Sequence, residues 1–137
     1  MPVHMNTLPD IAEQLSQFEP TKSPQRYSAR RSAVTIVLHE VQGQVRVLMI
    51  ERAKSEKDPW SGHMAFPGGR VDDTDDHSFA AAIRECEEEV GLDIQSHGRY
   101  LGRLSDMATH IRAGRDAMIV TPYVFALEHV PALQPNY

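Results

Sequence analysis

The sequence has a single cysteine, no long hydrophobic run and no excess of basic residues. One cysteine cannot form an internal disulfide, and no paired Cys/His spacing indicates a zinc site. Aliphatic runs such as residues 34–38 fall far short of the roughly 20 residues that a membrane-spanning helix needs. The first residues also lack the basic start and apolar stretch of a secretory signal. These absences predict a soluble, cytoplasmic protein that does not bind a membrane.

The composition is that of a globular protein with a moderate acidic bias. The net charge is −5, which argues against binding to nucleic acid polymers. Hydrophobic residues make up 41% of the chain and charged residues 24%, both ordinary for a folded domain. A length of 137 residues is sufficient for one compact domain.

The first part of the chain, residues 1–32, is predicted to be an amino-terminal arm. Asp10 can cap a short helix in which Ile11, Leu15 and Phe18 recur at helical spacing. Prolines and arginines follow and predict an irregular, locally basic linker. Packing against the domain and ligand binding are both open roles for this arm.

The rest of the chain, residues 33–137, is predicted to be the globular domain. One helix is expected over residues 78–90, ended by Gly91 in a left-handed conformation. Strands on both sides of a helix predict an α/β or α+β fold. The β-branched and aliphatic runs predict strands at residues 34–38, 45–50, 64–66, 100–104 and 119–127.

The apolar residues of the predicted helix form one stripe. At about 100° per residue, Phe79, Ile83, Cys86 and Val90 fall within a narrow arc and are expected to face the core. Cys86 is therefore interpreted as a small core residue rather than a nucleophile.

The acidic residues of the same helix form a face that violates local helix rules. Glu85, Glu88 and Glu89 lie one turn apart, and each like-charge pair costs about 0.2–0.5 kcal/mol. Anions are also unfavourable at a helix C-terminus, and Arg84 alone cannot neutralise them. Such violations are typical of functional sites. Mg²⁺ binding would explain the face, and a solvated acidic face without a ligand is the alternative.

The residues before the helix strengthen the metal-site hypothesis. Gly68 and Gly69 lack a Cβ, so the backbone can pass close to a ligand or metal ion. Several aspartates then approach the helix N-terminus, where anions are favourable. One of them is expected to cap the helix or to pair with Arg84. These aspartates are Asp72, Asp73, Asp75 and Asp76.

The chain resembles the Nudix family at these positions. The Nudix box has the pattern G-x5-E-x7-R-E-U-x-E-E-x-G-U, in which U is aliphatic. The run from Arg84 to Leu92 matches every specified position if Cys86 counts as apolar. The first half departs from the pattern: Asp75 is correctly spaced from Gly69, and Asp76 is correctly spaced from Arg84. Either aspartate is therefore a candidate for the first acidic position.

This resemblance implies a Nudix fold, a mixed β-sheet packed between helices. It also implies hydrolysis of a nucleoside diphosphate linked to another group, with Mg²⁺ or Mn²⁺ as cofactor. Glu88 and Glu89 would be the principal metal ligands, and Glu85 would be a further ligand or the catalytic base. The carbonyl of Gly68 would complete the coordination, and Arg84 would hold the carboxylates in place.

A weaker resemblance connects the preceding segment with the coenzyme A pyrophosphatase branch of the family. That branch carries the pattern L-L-T-x-R-[SA]-x3-R-x3-G-x3-F-P-G-G, which fits partly at residues 48–57 and fully at residues 62–69. The resemblance implies coenzyme A or a related nucleotide conjugate as substrate. The residues expected to contact the substrate are Arg52, Lys57, Gly69, Arg112 and Arg115. The alternative for the lysine and the arginines is that they are exposed loop residues that bind no ligand.

Two classes of function are open. The first is a pyrophosphohydrolase acting on coenzyme A or on other nucleotides, such as nucleoside triphosphates or ADP-ribose. The second is a ligand-binding or regulatory module of Nudix fold without turnover. The pairs Arg84-Glu85 and Glu88-Glu89 favour the first class, because a module without turnover has no reason to keep a self-repelling acidic face.

Nudix folds usually finish with a further helix on the sheet, whereas this chain stops at Tyr137, soon after its last predicted strand. Two expectations follow. Either the sequence ends before that helix, or the amino-terminal helix around residues 11–18 covers the sheet face, with or without a partner subunit. An uncovered apolar face would favour a homodimer.

Overall fold

The computed structural model describes residues 7–27, 29–51, 64–72, 75, 77–109 and 118–133. Arg52, Lys57, Asp76, Arg112 and Arg115 lie outside these residues. None of the described helices is both long and apolar enough to cross a lipid bilayer. The helices are α1 (Leu8–Gln17), α2 (Ser78–Val90) and α3 (Ile94–His97), with a 3-10 turn at Pro24–Tyr27. The strands are β1 (Arg30–Val41), β2 (Gln44–Val47), β3 (Ile50–Glu51), β4 (Met64–Ala65), β5 (Gly68–Arg70), β6 (Gly98–Arg103), β7 (Met107–Thr109) and β8 (Met118–Leu127).

A mixed sheet is built around the two long strands. β1 pairs with β8 in parallel, from Arg30 opposite Met118 to His39 opposite Leu127. β1 also pairs antiparallel with β2 and β5 on its other edge, and β8 pairs antiparallel with β6 and β7. β3 and β4 form a separate two-stranded pair. The strand predicted at residues 34–38 lies in β1 and the one predicted at 45–50 begins in β2, and β1 and β2 form a hairpin. Its turn has positive φ at Gln42 and Gly43, typical of tight hairpins.

The sheet lies between helices, which confirms the predicted fold class. Successive side chains of a strand point to opposite faces. On one face, residues of β1 and β8 such as Val37 and Phe125 pack in the main core with Cys86 and Val90 of α2. On the other face, alternate residues of the same strands line a shared cavity with α1.

The helix α1 begins earlier than expected. Thr7, rather than Asp10, is its N-cap, and its Oγ1 accepts a hydrogen bond from the Asp10 amide at 3.4 Å. The same hydroxyl donates to the Asp10 carboxylate at 2.6 Å. The prediction of Asp10 as cap was wrong because Pro9, at the second helical position, is tolerated in a first turn and lets the helix begin before it.

Two further details differ from the predictions. The strand predicted at residues 64–66 ends at Ala65, and a separate strand that the sequence did not predict, Gly68–Arg70, follows Pro67 and pairs with β1. In α2, Cys86 and Val90 are fully buried as predicted, whereas Phe79 and Ile83 are only partly buried. Ala81 and Ala82 are fully buried, since small side chains let the helix approach the sheet closely.

Candidate active site

The helix α2 carries the acidic residues on a segment with defined ends. At its start, His77 Nδ1 accepts a hydrogen bond from the Ala80 amide at 3.2 Å. At its end, Gly91 has φ +70°, and its amide donates to the Glu87 carbonyl at 2.9 Å. The bounds of the helix and the left-handed glycine are as predicted. An aspartate is expected either to cap this helix or to pair with Arg84. His77, and not an aspartate, caps the helix, whereas Asp75 pairs with Arg84.

Arg84 joins the residues before the helix to the acidic face. Its guanidinium forms a bidentate pair with Asp75, with Nε–Oδ1 at 3.0 Å and Nη2–Oδ2 at 2.9 Å. Its Nη1 donates to Glu85 at 2.9 Å and to Glu88 at 3.2 Å. Its Nη2 also donates to the Arg70 carbonyl at 3.1 Å. One cation thus offsets part of the repulsion among the carboxylates.

Among the described residues, Asp75 is the aspartate that forms a bidentate, buried pair with Arg84. Its side chain is 5% exposed, and it also accepts a hydrogen bond from the Asp72 amide at 2.9 Å. The hydrogen bonds from Arg84 stabilise the ionised carboxyl, so the pKa of Asp75 lies below its usual range. The same pairing raises the pKa of Arg84.

The two glycines bring the backbone of β5 against the acidic face. The Gly68 amide donates to Glu89 Oε1 at 3.2 Å. A Cβ at Gly69 would lie 2.5 Å from the Glu85 Cδ, and a Cβ at Gly68 would lie 2.4 Å from the Ala33 carbonyl oxygen. Gly68 therefore permits the pairing of β5 with β1, and Gly69 permits the Glu85 carboxylate to lie against the backbone.

The donor set at this place fits a divalent cation of the magnesium type. Carboxylate and backbone carbonyl oxygens are the ligands that Mg²⁺ prefers, and one or two carboxylates with substrate phosphates are sufficient. Within the described part of the chain, no three acidic, histidine or cysteine side chains converge as a ready metal-binding group. Arg84 and the Gly68 amide hold the carboxylates instead.

Cys86 faces the hydrophobic core and takes no part in this site. Its side chain is completely buried, and burial raises the pKa of its thiol to about 11. A thiol that stays protonated at neutral pH is a poor nucleophile. The interpretation of Cys86 as a core residue is confirmed.

The structure brings together Arg84, Glu85, Glu88 and Glu89 with Gly68 and Gly69. The Arg70 carbonyl, which accepts a hydrogen bond from Arg84, also belongs to the site. The sequence did not predict it, because any residue type can supply a backbone carbonyl. The pairing of β5 with β1 that positions this carbonyl was also missed. Four of the predicted substrate contacts lie outside the described residues: Arg52, Lys57, Arg112 and Arg115.

Comparisons with known proteins agree with this geometry. The family model of the NUDIX domain matches residues 29–136. The mouse peroxisomal coenzyme A diphosphatase NUDT7 is 30% identical over 136 residues, which are 98% of this chain and 54% of the mouse protein. The chain spans about a quarter to about half of the length of such curated relatives.

Solved structures share the fold. A Caenorhabditis elegans Ap4A hydrolase binary complex has a TM-score of 0.65 at 19% identity, covering 79% of this chain and 73% of the other. The NUDIX domain of Shewanella oneidensis NrtR, complexed with ADP ribose, has a TM-score of 0.61 at 19% identity, covering 92% and 75%. At this level of identity the likeness concerns the fold alone.

Proposed function

The chain belongs to the Nudix family, and from this premise we propose that it hydrolyses the pyrophosphate bond of a nucleoside diphosphate linked to another group, with Mg²⁺ or Mn²⁺. The observation that carries the proposal is the acidic face of α2, with Glu85 and Glu89 against the backbone of Gly68 and Gly69. These carboxylates repel one another and lie against a backbone without Cβ atoms. Such an arrangement suits a cation and the phosphate groups that it binds.

Each residue of the site has a separate task in this proposal. Glu88, Glu89 and the Gly68 carbonyl would hold the cation, and Glu85 would be a further ligand or the base that takes a proton from the attacking water. Arg84 is a positioning residue, since it contacts the carboxylates. A cation of this type neutralises the charge of the phosphates and makes a nearby water more acidic.

The best candidate substrate is coenzyme A or a related nucleotide conjugate. Two observations support it: the segment before Gly69 resembles the coenzyme A pyrophosphatase pattern, and the mouse relative is named a coenzyme A diphosphatase. The expected substrate contacts remain Gly69 and the four basic residues outside the described part. Other nucleotides are alternatives, because the structural neighbours include an Ap4A hydrolase and a domain complexed with ADP ribose. A cytoplasmic location remains a prediction of the sequence.

A ligand-binding module without turnover is the second candidate. One observation favours it: Arg84 Nη1 contacts both Glu85 and Glu88, so two carboxylates are already paired with a cation. Under this hypothesis a nucleotide binds but is not cleaved.

A substrate panel separates these candidates. Coenzyme A, ADP-ribose, dinucleoside polyphosphates and nucleoside triphosphates are incubated with Mg²⁺ and with Mn²⁺, and phosphorylated products are measured. Cleavage of coenzyme A supports the first proposal in full. Cleavage of nucleoside triphosphates but never of coenzyme A would contradict only the substrate. Nucleotide binding without any product would favour the module.

Replacing one carboxylate tests the role of the acidic face. We expect Glu89→Gln or Glu88→Gln to lower turnover by at least about 100-fold, because a lost ligand costs at least as much as a lost ligand-supporting residue. Circular dichroism and the melting temperature should stay close to those of the wild type. Glu87→Gln, an exposed carboxylate of the same helix, is the matched control and should retain activity. Normal rates for Glu88→Gln and Glu89→Gln would refute the metal-site proposal.

A further inference from the structure

A cavity separate from the acidic face is lined largely by cationic side chains. It has a volume of about 300 Å³ and lies at the amino-terminal end of α2. This volume is at the lower end of the range for small-molecule sites. The lining residues that matter here are Lys22, Arg26, Arg31, Ser78, Arg103 and Tyr123, none of which belongs to the proposed active site.

The positive charge of this cavity exceeds the negative charge around it. Arg26 Nε lies 3.2 Å from Asp106 Oδ2, and Arg103 Nη1 lies 3.6 Å from Asp106 Oδ1. Within the described residues, Arg31 Nη2 donates to the neutral hydroxyls of Ser78 and Thr121. Among the described residues, the single carboxylate of Asp106 thus forms the ion pairs of this cluster, which contains three arginines.

Asp106 also accepts hydrogen bonds from groups other than the arginines. Its side chain is fully buried, and it accepts hydrogen bonds from the Ser23 amide at 2.9 Å and from the Thr121 hydroxyl at 2.6 Å. Burial acts to raise the pKa of Asp106, but these hydrogen bonds and the nearby arginines outweigh it, and the pKa is lowered. Asp106 is therefore already ionised, so the excess of positive charge is real.

Three guanidinium atoms at this place are buried without a hydrogen-bond acceptor in the described part of the chain. They are Arg26 Nε, Arg31 Nε and Arg103 Nη2. The Arg26 side chain is only 9% exposed, and its contact with Asp106 lacks hydrogen-bond geometry. A buried charged donor without a partner is costly. Three such donors beside one cavity indicate that a ligand accepts their hydrogen bonds.

We propose that this cavity binds a phosphate dianion, either as free orthophosphate or as a phosphomonoester group of a nucleotide. Guanidinium groups offer planar pairs of donors that match phosphate oxygens. A dianion suits three arginines and a lysine beside one carboxylate better than a monovalent carboxylate does. The start of α2, at Ser78, adds the positive end of a helix dipole. The proposal goes beyond the proposed hydrolase activity.

The electrostatics of Arg31 agree with this assignment. Burial and the neighbouring Arg26 lower the pKa of Arg31. An anion placed between the arginines would relieve this repulsion, so binding should also stabilise the fold.

Thermal unfolding in phosphate tests the proposal. The protein is melted in EDTA with potassium phosphate and, separately, with potassium chloride at equal ionic strength. EDTA removes any metal-dependent binding of phosphate at the acidic face. Because a ligand that binds only the native state stabilises it, phosphate should raise the melting temperature of the wild type above that in chloride. The rise should be larger than the rise for Lys22→Ala, which measures the general stabilisation of proteins by phosphate. Equal melting temperatures in the two salts would overturn the proposal.

Variants locate the binding. Arg31→Gln should weaken the affinity for orthophosphate, measured by calorimetry, by about tenfold or more. Lys22 is exposed, so we expect Lys22→Ala to fold like the wild type. It should weaken the affinity for orthophosphate by about two- to fivefold. This variant tests the proposal if Arg31→Gln does not fold. Arg46→Gln, an exposed cation on β2, and Glu89→Gln should bind phosphate like the wild type. Wild-type affinity in both Lys22→Ala and a folded Arg31→Gln would overturn the proposal, whatever the hydrolase activity.

Two probes distinguish the sources of the phosphate. Orthophosphate and adenosine 3′,5′-bisphosphate are titrated into the wild type and Lys22→Ala in EDTA. If the cavity binds a nucleotide phosphate, the bisphosphate should bind at least tenfold more tightly than orthophosphate. If it binds free phosphate, the two should bind equally or orthophosphate better. Both outcomes support the phosphate site, whereas binding of neither probe contradicts it.

Discussion

Arg84 is the residue on which the geometry of the acidic face depends. Its guanidinium contacts Asp75, Glu85, Glu88 and the Arg70 carbonyl at 3.2 Å or less. A lysine could not reproduce these contacts, because it presents a point charge rather than a planar fork of donors. Arg84 thereby connects the loop before α2, the strand β5 and the helix itself.

Removing the charge of Asp75 should destabilise the protein in a pH-dependent way. We expect Asp75→Asn to lower the free energy of unfolding by about 1–3 kcal/mol at neutral pH, since two charge-assisted hydrogen bonds are weakened. The folded pKa of Asp75 is lowered, so its contribution is complete above the unfolded value near 4. The contribution is lost as the pH falls through the lower folded pKa. Urea unfolding of both proteins between pH 7 and pH 3 measures the difference.

Asp72→Asn is the matched control for that experiment. Asp72 lies 3.4 Å from Arg84 Nη2, but its side chain is half-exposed, and exposed pairs contribute little. We expect a much smaller loss of stability than for Asp75→Asn. Equal losses, or a loss for Asp75→Asn that does not shrink at low pH, would contradict the role of Asp75.

The two adjacent glycines should respond differently to alanine. In Gly68→Ala the new methyl would meet the Ala33 carbonyl at 2.4 Å, and backbone cannot move away cheaply, so stability should fall. In Gly69→Ala the methyl would meet the end of the Glu85 side chain, which can rotate away. Turnover should therefore fall while the denaturation midpoint stays near that of the wild type. Each variant is the control for the other, and identical profiles would refute the distinction.

At the scale of elements, α1 covers the sheet face opposite to α2. Its residues Ile11 and Leu15 line a cavity with Ile36 and Val124 of the sheet. The Leu8 amide also donates to the Glu40 carboxylate at 2.8 Å. This agrees with the expectation that the amino-terminal helix covers the second face.

Shortening an apolar side chain of α1 measures how much the packing of this helix on the sheet contributes to the stability of the protein. We expect Leu15→Ala to lower the free energy of unfolding by about 1–2 kcal/mol, less than the 2–5 kcal/mol of a fully buried leucine, because Leu15 is partly exposed. Gln17→Ala, on the exposed side of the helix, is the control. A loss no larger than that of the control would mean that α1 adds no packing energy.

At the scale of the whole molecule, the acidic face should keep its structure without metal. Glu85 and Glu88 contact Arg84, and Glu89 accepts from the Gly68 amide. We therefore expect EDTA to abolish hydrolysis while leaving the far-ultraviolet circular dichroism unchanged. Turnover should return when Mg²⁺ is added in excess. Hydrolysis that survives EDTA, or a chain that unfolds in it, would contradict the proposal. The predicted homodimer is a separate question for light scattering.

The sequence alone predicted the α/β class, the bounds of α2 and the acidic face, because helical period, a left-handed glycine and like-charge crowding are local properties of residue order. It missed β5, α3 and β7, since short segments acquire their structure from pairing and packing with distant residues. It also placed the N-cap of α1 at Asp10 rather than at Thr7, because threonine and aspartate are both residue types that cap helices.

Only the tertiary structure determined that Asp75, among closely spaced aspartates, forms the bidentate pair with Arg84. It also brought Arg26, Arg31 and Arg103, far apart in the chain, to one cavity with Asp106. Local spacing fixes which side chains share a helix face, but only the pairing of β1 with β8 and of β8 with β6 determines which distant charges meet.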